Sequence, residues 1–207
     1  MESILDFAHR VARRALAPGD WAVDATAGNG HDTCALADAV GAEGRVWAFD
    51  VQPQALRSTR RRLDERGLGE RVTLLEQGHE TMQSALPPEV EGRARAVMFN
   101  LGYLPGSSNK TRTTTPDTTL PALRAAAALL AEGGAMTVVC YRGHPGGAEE
   151  TQAVRRWAEA LPQARFRVFE YRLLNHKNDP PRLVVVEKTA GAPKAGRLSS
   201  SPSKTRI

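Results

Sequence analysis

Apolar positions along the chain recur in two alternating rhythms. Residues 3–17 place Ile4, Leu5, Ala8, Val11, Ala12 and Ala15 at helical spacing, and Pro18-Gly19 ends that helix. Trp21 to Thr26 make a short apolar strand that runs into the turn Ala27-Gly28-Asn29-Gly30. A helix follows through Leu36 and Ala39 and stops near Gly41. Arg45 to Asp50 is the next strand, and Pro53 to Arg66 the next helix, with Gly67 as its stop. Val72 to Glu76 and Arg95 to Asn100 read as strands. A helix from Thr118 to Ala131 closes at Gly133-Gly134, ahead of a strand from Ala135 to Tyr141. Ala148 to Leu161 is helical, and the strands Phe166–Leu173 and Arg182–Lys188 complete the sheet. The pattern predicts an α/β fold: a mainly parallel, seven-stranded sheet with helices on both faces.

Composition supports a folded core and narrows the class. Of 207 residues, 41% are hydrophobic and 25% charged, unlike a disordered chain. No apolar run approaches the roughly 18–20 residues needed to span a bilayer, and the N-terminus lacks a secretory apolar segment. Cys34 and Cys140 are too few for a disulfide framework and suit a reducing cytoplasm. One domain is expected over residues 1–189.

Net charge changes meaning once it is located. The chain carries +5, but Lys194, Arg197, Lys204 and Arg206 lie in an acid-free stretch from Ala190 to Ile207. That Ser/Gly/Pro-rich segment, expected to be a disordered basic tail, holds +4 and leaves +1 for the rest. Affinity for nucleic acid must therefore rest on where basic residues sit. Arg57, Arg60, Arg61 and Arg62 form one cluster; Lys110, Arg112, Arg142, Lys177 and Arg182 lie on the expected rim and are the better phosphate partners.

In such sheets, ligands bind beyond the carboxyl ends of the strands, near the switch in strand order. Gly28 and Gly30 end the first strand in a turn through which backbone can approach a ligand closely. Asp50 ends the second strand about 20 residues later, where a carboxylate can accept ribose hydroxyls. Two cofactors suit this: a dinucleotide or S-adenosylmethionine. A dinucleotide site usually carries a third glycine, where this chain has Thr33. Asp24, ahead of the first glycine, would repel phosphate yet suits a cationic methionine group, so S-adenosylmethionine is favoured. The fourth strand ends Asn100-Leu101-Gly102-Tyr103, with a polar head and an aromatic ring at the spacing of the Asn/Asp-Pro-Pro-Tyr/Phe motif of amino-methylating enzymes. An ordinary turn would also use Asn and Gly.

Four segments in order carry a more specific resemblance: Asp24 to Thr33, Phe99 to Gly106, Gly143 to Gly147 and Asn178 to Pro181. Together they resemble the rRNA methylase family, which includes the MnmM-type tRNA 5-(aminomethyl)-2-thiouridine methyltransferases, over nearly the whole chain except the tail. The resemblance implies a Rossmann-like class I methyltransferase fold using S-adenosyl-L-methionine. It also implies methylation of the exocyclic amine of 5-aminomethyl-2-thiouridine at the tRNA wobble position, and a homodimer. The chain departs from the family pattern at Ser107-Ser108-Asn109-Lys110 and at Asn175-His176-Lys177, so the cofactor follows more directly than the RNA details.

The expected cofactor set is Asp24, Thr26, Gly28, Asn29, Gly30, Asp32 and Thr33 around the methionine side. Asp50 and Gln52 are expected at the ribose, Gly78 and His79 on the adenine side, and Asn100 at the methyl. Asn100 and Tyr103 are the expected catalytic pair, one orienting the amine and the other stacking on uridine. Tyr103, Lys110, Tyr141, His144, Asn175 and Asp179 are expected to meet the RNA. The histidines lack metal-ligand spacing, so no metal is expected. Other RNA substrates such as rRNA, an NAD(P)-dependent oxidoreductase and a non-catalytic RNA-binding module are the competing readings. No membrane partner is expected.

Overall fold

The computed structural model describes residues 2–102 and 113–190. Its strands are β1 Trp21–Asp24, β2 Arg45–Phe49, β3 Val72–Leu75, β4 Ala94–Leu101, β5 Leu130–Cys140, β6 Phe166–Tyr171 and β7 Arg182–Lys188. They form one sheet in the order β3-β2-β1-β4-β5-β7-β6. β1 to β5 are parallel, and β7 runs antiparallel between β5 and β6. The order reverses between β1 and β4, so a crevice opens beyond their carboxyl ends.

The main helices are α1 Ile4–Ala15, α2 His31–Val40, α3 Pro53–Glu65, a short α4 Met82–Ala85, α5 Pro116–Leu129 and α6 Gly147–Glu159. Successive strand residues face opposite layers. Val23, Val97 and Phe99 join the core that contains Leu123 of α5 and Val154 of α6. Ala22, Ala96 and Met98 join the core that contains Ala8 of α1, Leu36 of α2 and Leu63 of α3. Burial on both faces explains why these strands read as unbroken apolar runs. Among the described residues, no helix is long and apolar enough to cross a membrane.

The alternation of elements is as the sequence predicts, with one displaced boundary. Gly133-Gly134 does not stop a helix. α5 already ends at Leu129, and the glycine pair lies inside β5, where the pairing with β4 slips between Ala94 and Ala96. Gly133 has φ +73°, and a Cβ on Gly134 would stand 3.1 Å from the carbonyl oxygens of Ala94 and Arg95, so the pair serves a bulge. Lys188 Nζ, 2.5 Å from Leu130 O, anchors the helix-to-strand junction from β7. The short helix α4 and a 3₁₀ turn at His79–Thr81 lie between β3 and β4, where periodicity predicts no element.

Candidate active site

The carboxyl ends of β1, β2, β4 and β5 open on one cleft of about 1250 Å³. That exceeds the roughly 300–1000 Å³ of an ordinary small-molecule pocket and leaves space for a nucleoside cofactor beside a second ligand. Thr26, Gly28, Asn29, Asp32, Asp50, Gln52, Gly78, His79, Asn100, Tyr141, His144 and Asp179 all line it. Expected residues from six separate stretches of chain are thus brought together.

The turn after β1 is built from backbone. Gly28 and Gly30 have φ of +52° and +82°, a region costly for residues with a Cβ. Gly28 N donates to Asp50 Oδ2 and Gln52 N to Asp50 Oδ1, each at 2.9 Å, so Asp50 is oriented by two amides. From α3, Thr59 Oγ1 donates to Gly28 O at 3.1 Å and Arg62 Nε to Asn29 O at 2.9 Å. Arg62, which reads in sequence as part of a charged surface run, therefore braces the glycine turn.

Asp24, Gly30 and Thr33 stand behind the cleft wall and are not among its lining residues. Asp24 is fully buried; Thr33 Oγ1 donates to its Oδ2 at 2.6 Å and Thr26 N to its Oδ1 at 3.1 Å. Burial, with the charge of Asp32 adding to it, pushes the Asp24 carboxyl up to about 7 despite those hydrogen bonds. The acid placed by sequence beside the methionine group ties the end of β1 to α2.

His79 is also buried, and its Nδ1 donates to Ala25 O at 3.2 Å. Burial lowers its pKa, so the neutral ring leaves Nε2 as an acceptor with no partner among the described residues.

The wall formed by β4 is arranged around Asn100. Its backbone N donates to Thr26 Oγ1 at 2.7 Å, locking β4 to the end of β1. Its side-chain Nδ2 donates to Asp32 Oδ2, while Oδ1 is buried with no partner among the described residues. Asp32 Oδ1 meets His9 Nε2 of α1 at 2.5 Å. Tyr141, half-buried after β5, has its phenol pushed above the usual value by burial and by the charge of Asp32.

His144 Nδ1 lies 3.0 Å from Pro145 O, and its own carbonyl accepts from Gly147 N, so this histidine orders the entry to α6. Asp179, at φ +43°, pairs with Arg142 at 3.1 Å, and Arg182 pairs with Glu170 at 3.6 Å. Two of the rim cations expected to meet phosphate are thus already matched with acids. Asn175 is exposed and does not line the cleft. Tyr103, Lys110 and Arg112 lie outside the described residues.

Sequence reasoning missed His9, Leu5 and Asp6 of α1, and Thr113, Thr114 and Thr118, all on the cleft. It also missed buried Glu150, which accepts from Thr114 Oγ1 at 2.8 Å and from Thr119 Oγ1 at 2.6 Å. The helical stripe of α1 marks its packed face, and His9 flanks that stripe; no local signal connects it to Asp32.

Residues 46–187 match the family model described as "Putative rRNA methylase". The chain belongs to this family. The rRNA methylase of Clostridium thermocellum, described as putative, shares 40% identity and superposes with a TM-score of 0.86 over 91% of this chain and 98% of its own. A putative methyltransferase of Streptococcus mutans, solved in complex with SAH, shares 36% identity with a TM-score of 0.80, over 91% of this chain and 99% of its own. The tRNA (mnm5s2U34)-methyltransferase, chloroplastic, of Arabidopsis thaliana is 40% identical over 183 residues, 84% of this chain. The chain spans 66% of that relative's length. The fold of this rRNA methylase family member is the Rossmann-like methyltransferase fold, as the resemblance implies.

Proposed function

We propose that this chain is an S-adenosylmethionine-dependent methyltransferase that modifies the exocyclic amine of 5-aminomethyl-2-thiouridine at the tRNA wobble position. The observation that carries the reading is the Asn100 side chain. Its amide nitrogen is committed to Asp32, and its oxygen is a buried acceptor without a partner among the described residues, on the wall of a cleft with room for two ligands. An acceptor of that kind suits an amine N–H.

The residues present also fit the cofactor. The Gly28-Asn29-Gly30 turn gives close backbone approach, Asp50 is oriented to take ribose hydroxyls, and the bare His79 Nε2 is an acceptor suited to an adenine amino group. When bound, S-adenosylmethionine supplies an activated methyl on a sulfonium. The chain has to exclude water, align the amine and keep it neutral. An alkyl amine carries a pKa of roughly 10, so it arrives protonated and must lose that proton before it attacks. The half-buried cleft favours the neutral amine by desolvation, and Asn100 Oδ1 orients the lone pair by accepting one N–H. Relatives described as a tRNA (mnm5s2U34)-methyltransferase and as a methyltransferase bound to SAH support this reading.

A cytoplasmic location, a homodimer that extends a small RNA-binding surface, and a catalytic domain over residues 1–189 with a dispensable tail belong to the same proposal. The test is incubation with S-adenosylmethionine and hypomodified tRNA, followed by nucleoside mass analysis. The expected product is 5-methylaminomethyl-2-thiouridine. A product on rRNA and none on tRNA would overturn the substrate and spare the cofactor.

A further inference from the structure

His9, Asp32 and Asn100 come from α1, α2 and β4 and form one unbroken hydrogen-bonded line. His9 Nε2 lies 2.5 Å from Asp32 Oδ1, and Asn100 Nδ2 donates to Asp32 Oδ2. The ends of an amide side chain are nearly equal in shape and opposite in function. A carboxylate accepts only, so Asp32 determines that Asn100 presents Nδ2 to it and keeps Oδ1 on the other side. Asp32 in turn uses one oxygen for Asn100 and the other for the His9 ring, which braces it in that orientation. Both side chains are largely sheltered, with 25% of the His9 side chain and 11% of the Asp32 side chain exposed. The groups facing this line are Asp6 and Arg13 on α1, Asp24 at the end of β1 and Tyr141 after β5.

We infer that His9 is a positioning residue for methyl transfer, holding Asp32 so that the Asn100 amide offers its oxygen to the acceptor amine. This rests on the proposed amine methylation and adds a residue that acts through Asp32. Without His9, Asp32 can rotate and release the amide, which then samples the flipped orientation with a donor facing the amine. Loss of alignment of this kind costs on the order of 10²-fold in rate. Glutamine is the conservative replacement, because its side-chain nitrogen reaches about the position of Nε2 and donates without a charge.

The test combines single-turnover methylation of hypomodified tRNA, calorimetry with S-adenosylhomocysteine, and the NMR resonances of the Asn100 side-chain NH₂. His9→Ala should lower kcat by roughly 10- to 100-fold, with KM for tRNA and cofactor affinity changed by no more than a few-fold. His9→Gln should recover most of the rate. The Asn100 NH₂ signals should move toward free-amide positions in His9→Ala and return in His9→Gln. An unchanged kcat in His9→Ala, an equal loss in cofactor affinity, or failure of glutamine to restore the rate would each overturn the assignment. If wild type methylates no tRNA, the proposed function fails. The NH₂ signals still decide the positioning, since a resonance indifferent to His9 would overturn it.

Discussion

The two walls of the cleft are built on opposite principles. On the wall formed by β1 and β2, polar groups are tied to one another: Asp50 to Gly28 N and Gln52 N, Gly28 O to Thr59, Asn29 O to Arg62. On the wall formed by β4, Asn100 is tied by its backbone to Thr26 and by Nδ2 to Asp32, and its Oδ1 is left buried without a partner among the described residues. A buried unpaired acceptor costs on the order of 1–3 kcal/mol. The fold tolerates that cost where a ligand donor is due to arrive, and avoids it where the backbone itself must hold a shape. One wall is a finished mould, and the other holds a single unfilled valence in a fixed direction.

The contrast breaks first at Asn100. Asn100→Ala removes the acceptor but keeps the β4 backbone amide that bonds Thr26, so the end of β1 stays in place. Methyl transfer is expected to fall by roughly 10²–10³-fold, the usual cost of one preorganised hydrogen-bonding group. Cofactor affinity should stay within a few-fold. Turnover and calorimetry on the same sample check both halves, and unchanged turnover would remove Asn100 from the chemistry.

The opposite wall breaks through shape. A Cβ at Gly30 would stand 2.8 Å from Thr59 Cα, a backbone atom that cannot swing aside, at a φ of +82°. Gly67 offers a control: its φ is +64°, and nothing lies within 4 Å of the added Cβ. Gly67→Ala should cost only the left-handed backbone penalty, about 1–2 kcal/mol. Gly30→Ala adds a displacement of α3 from the turn and should lower Tm by roughly twice as much, with a loss of cofactor affinity that Gly67→Ala does not share. Thermal melts with and without S-adenosylhomocysteine separate the two. Equal Tm losses with intact affinity would mean the turn is not a mould.

This asymmetry also explains what could be read from the chain. The mould is local: two glycines and a carboxylate at fixed spacing are a sequence pattern, and the strands that carry them are runs of Val, Ala and Phe. Asn100 was legible for the same reason, as the polar end of an apolar strand. What orients it was not. Asp32 sits inside the glycine motif and reads as part of the cofactor turn, yet its partners are His9, on the preceding helix, and Asn100, on a strand two crossovers later. Periodicity says which face of α1 is packed and is silent about the neighbour at its margin. Arg62 reads as surface charge because the carbonyl it bonds, Asn29 O, has no sequence signature. Gly133-Gly134 reads as a helix stop because a strand bulge and a helix end call for the same residue.

The smallest expected effect on cofactor binding concerns Asp24, the acid whose sequence position suits the methionine group and whose buried position serves the end of β1. Its carboxyl is raised from 3.8 to about 7, chiefly by burial. A group with a folded pKa above its unfolded value stabilises the fold fully below the unfolded value. That stability is lost as pH rises through the folded value. Wild type should therefore lose stability between about pH 4 and pH 7 relative to a variant with no charge to bury. Asp24→Asn is that variant: its Oδ1 still accepts from Thr26 N, and its amide can donate to a rotated Thr33 hydroxyl. The two proteins should melt together near pH 4, with the variant melting progressively higher as pH rises to 7 and beyond. Because Asp24 does not line the cleft, cofactor affinity should change by no more than a few-fold. A large loss of affinity with the same melting profile would bring Asp24 onto the cofactor wall.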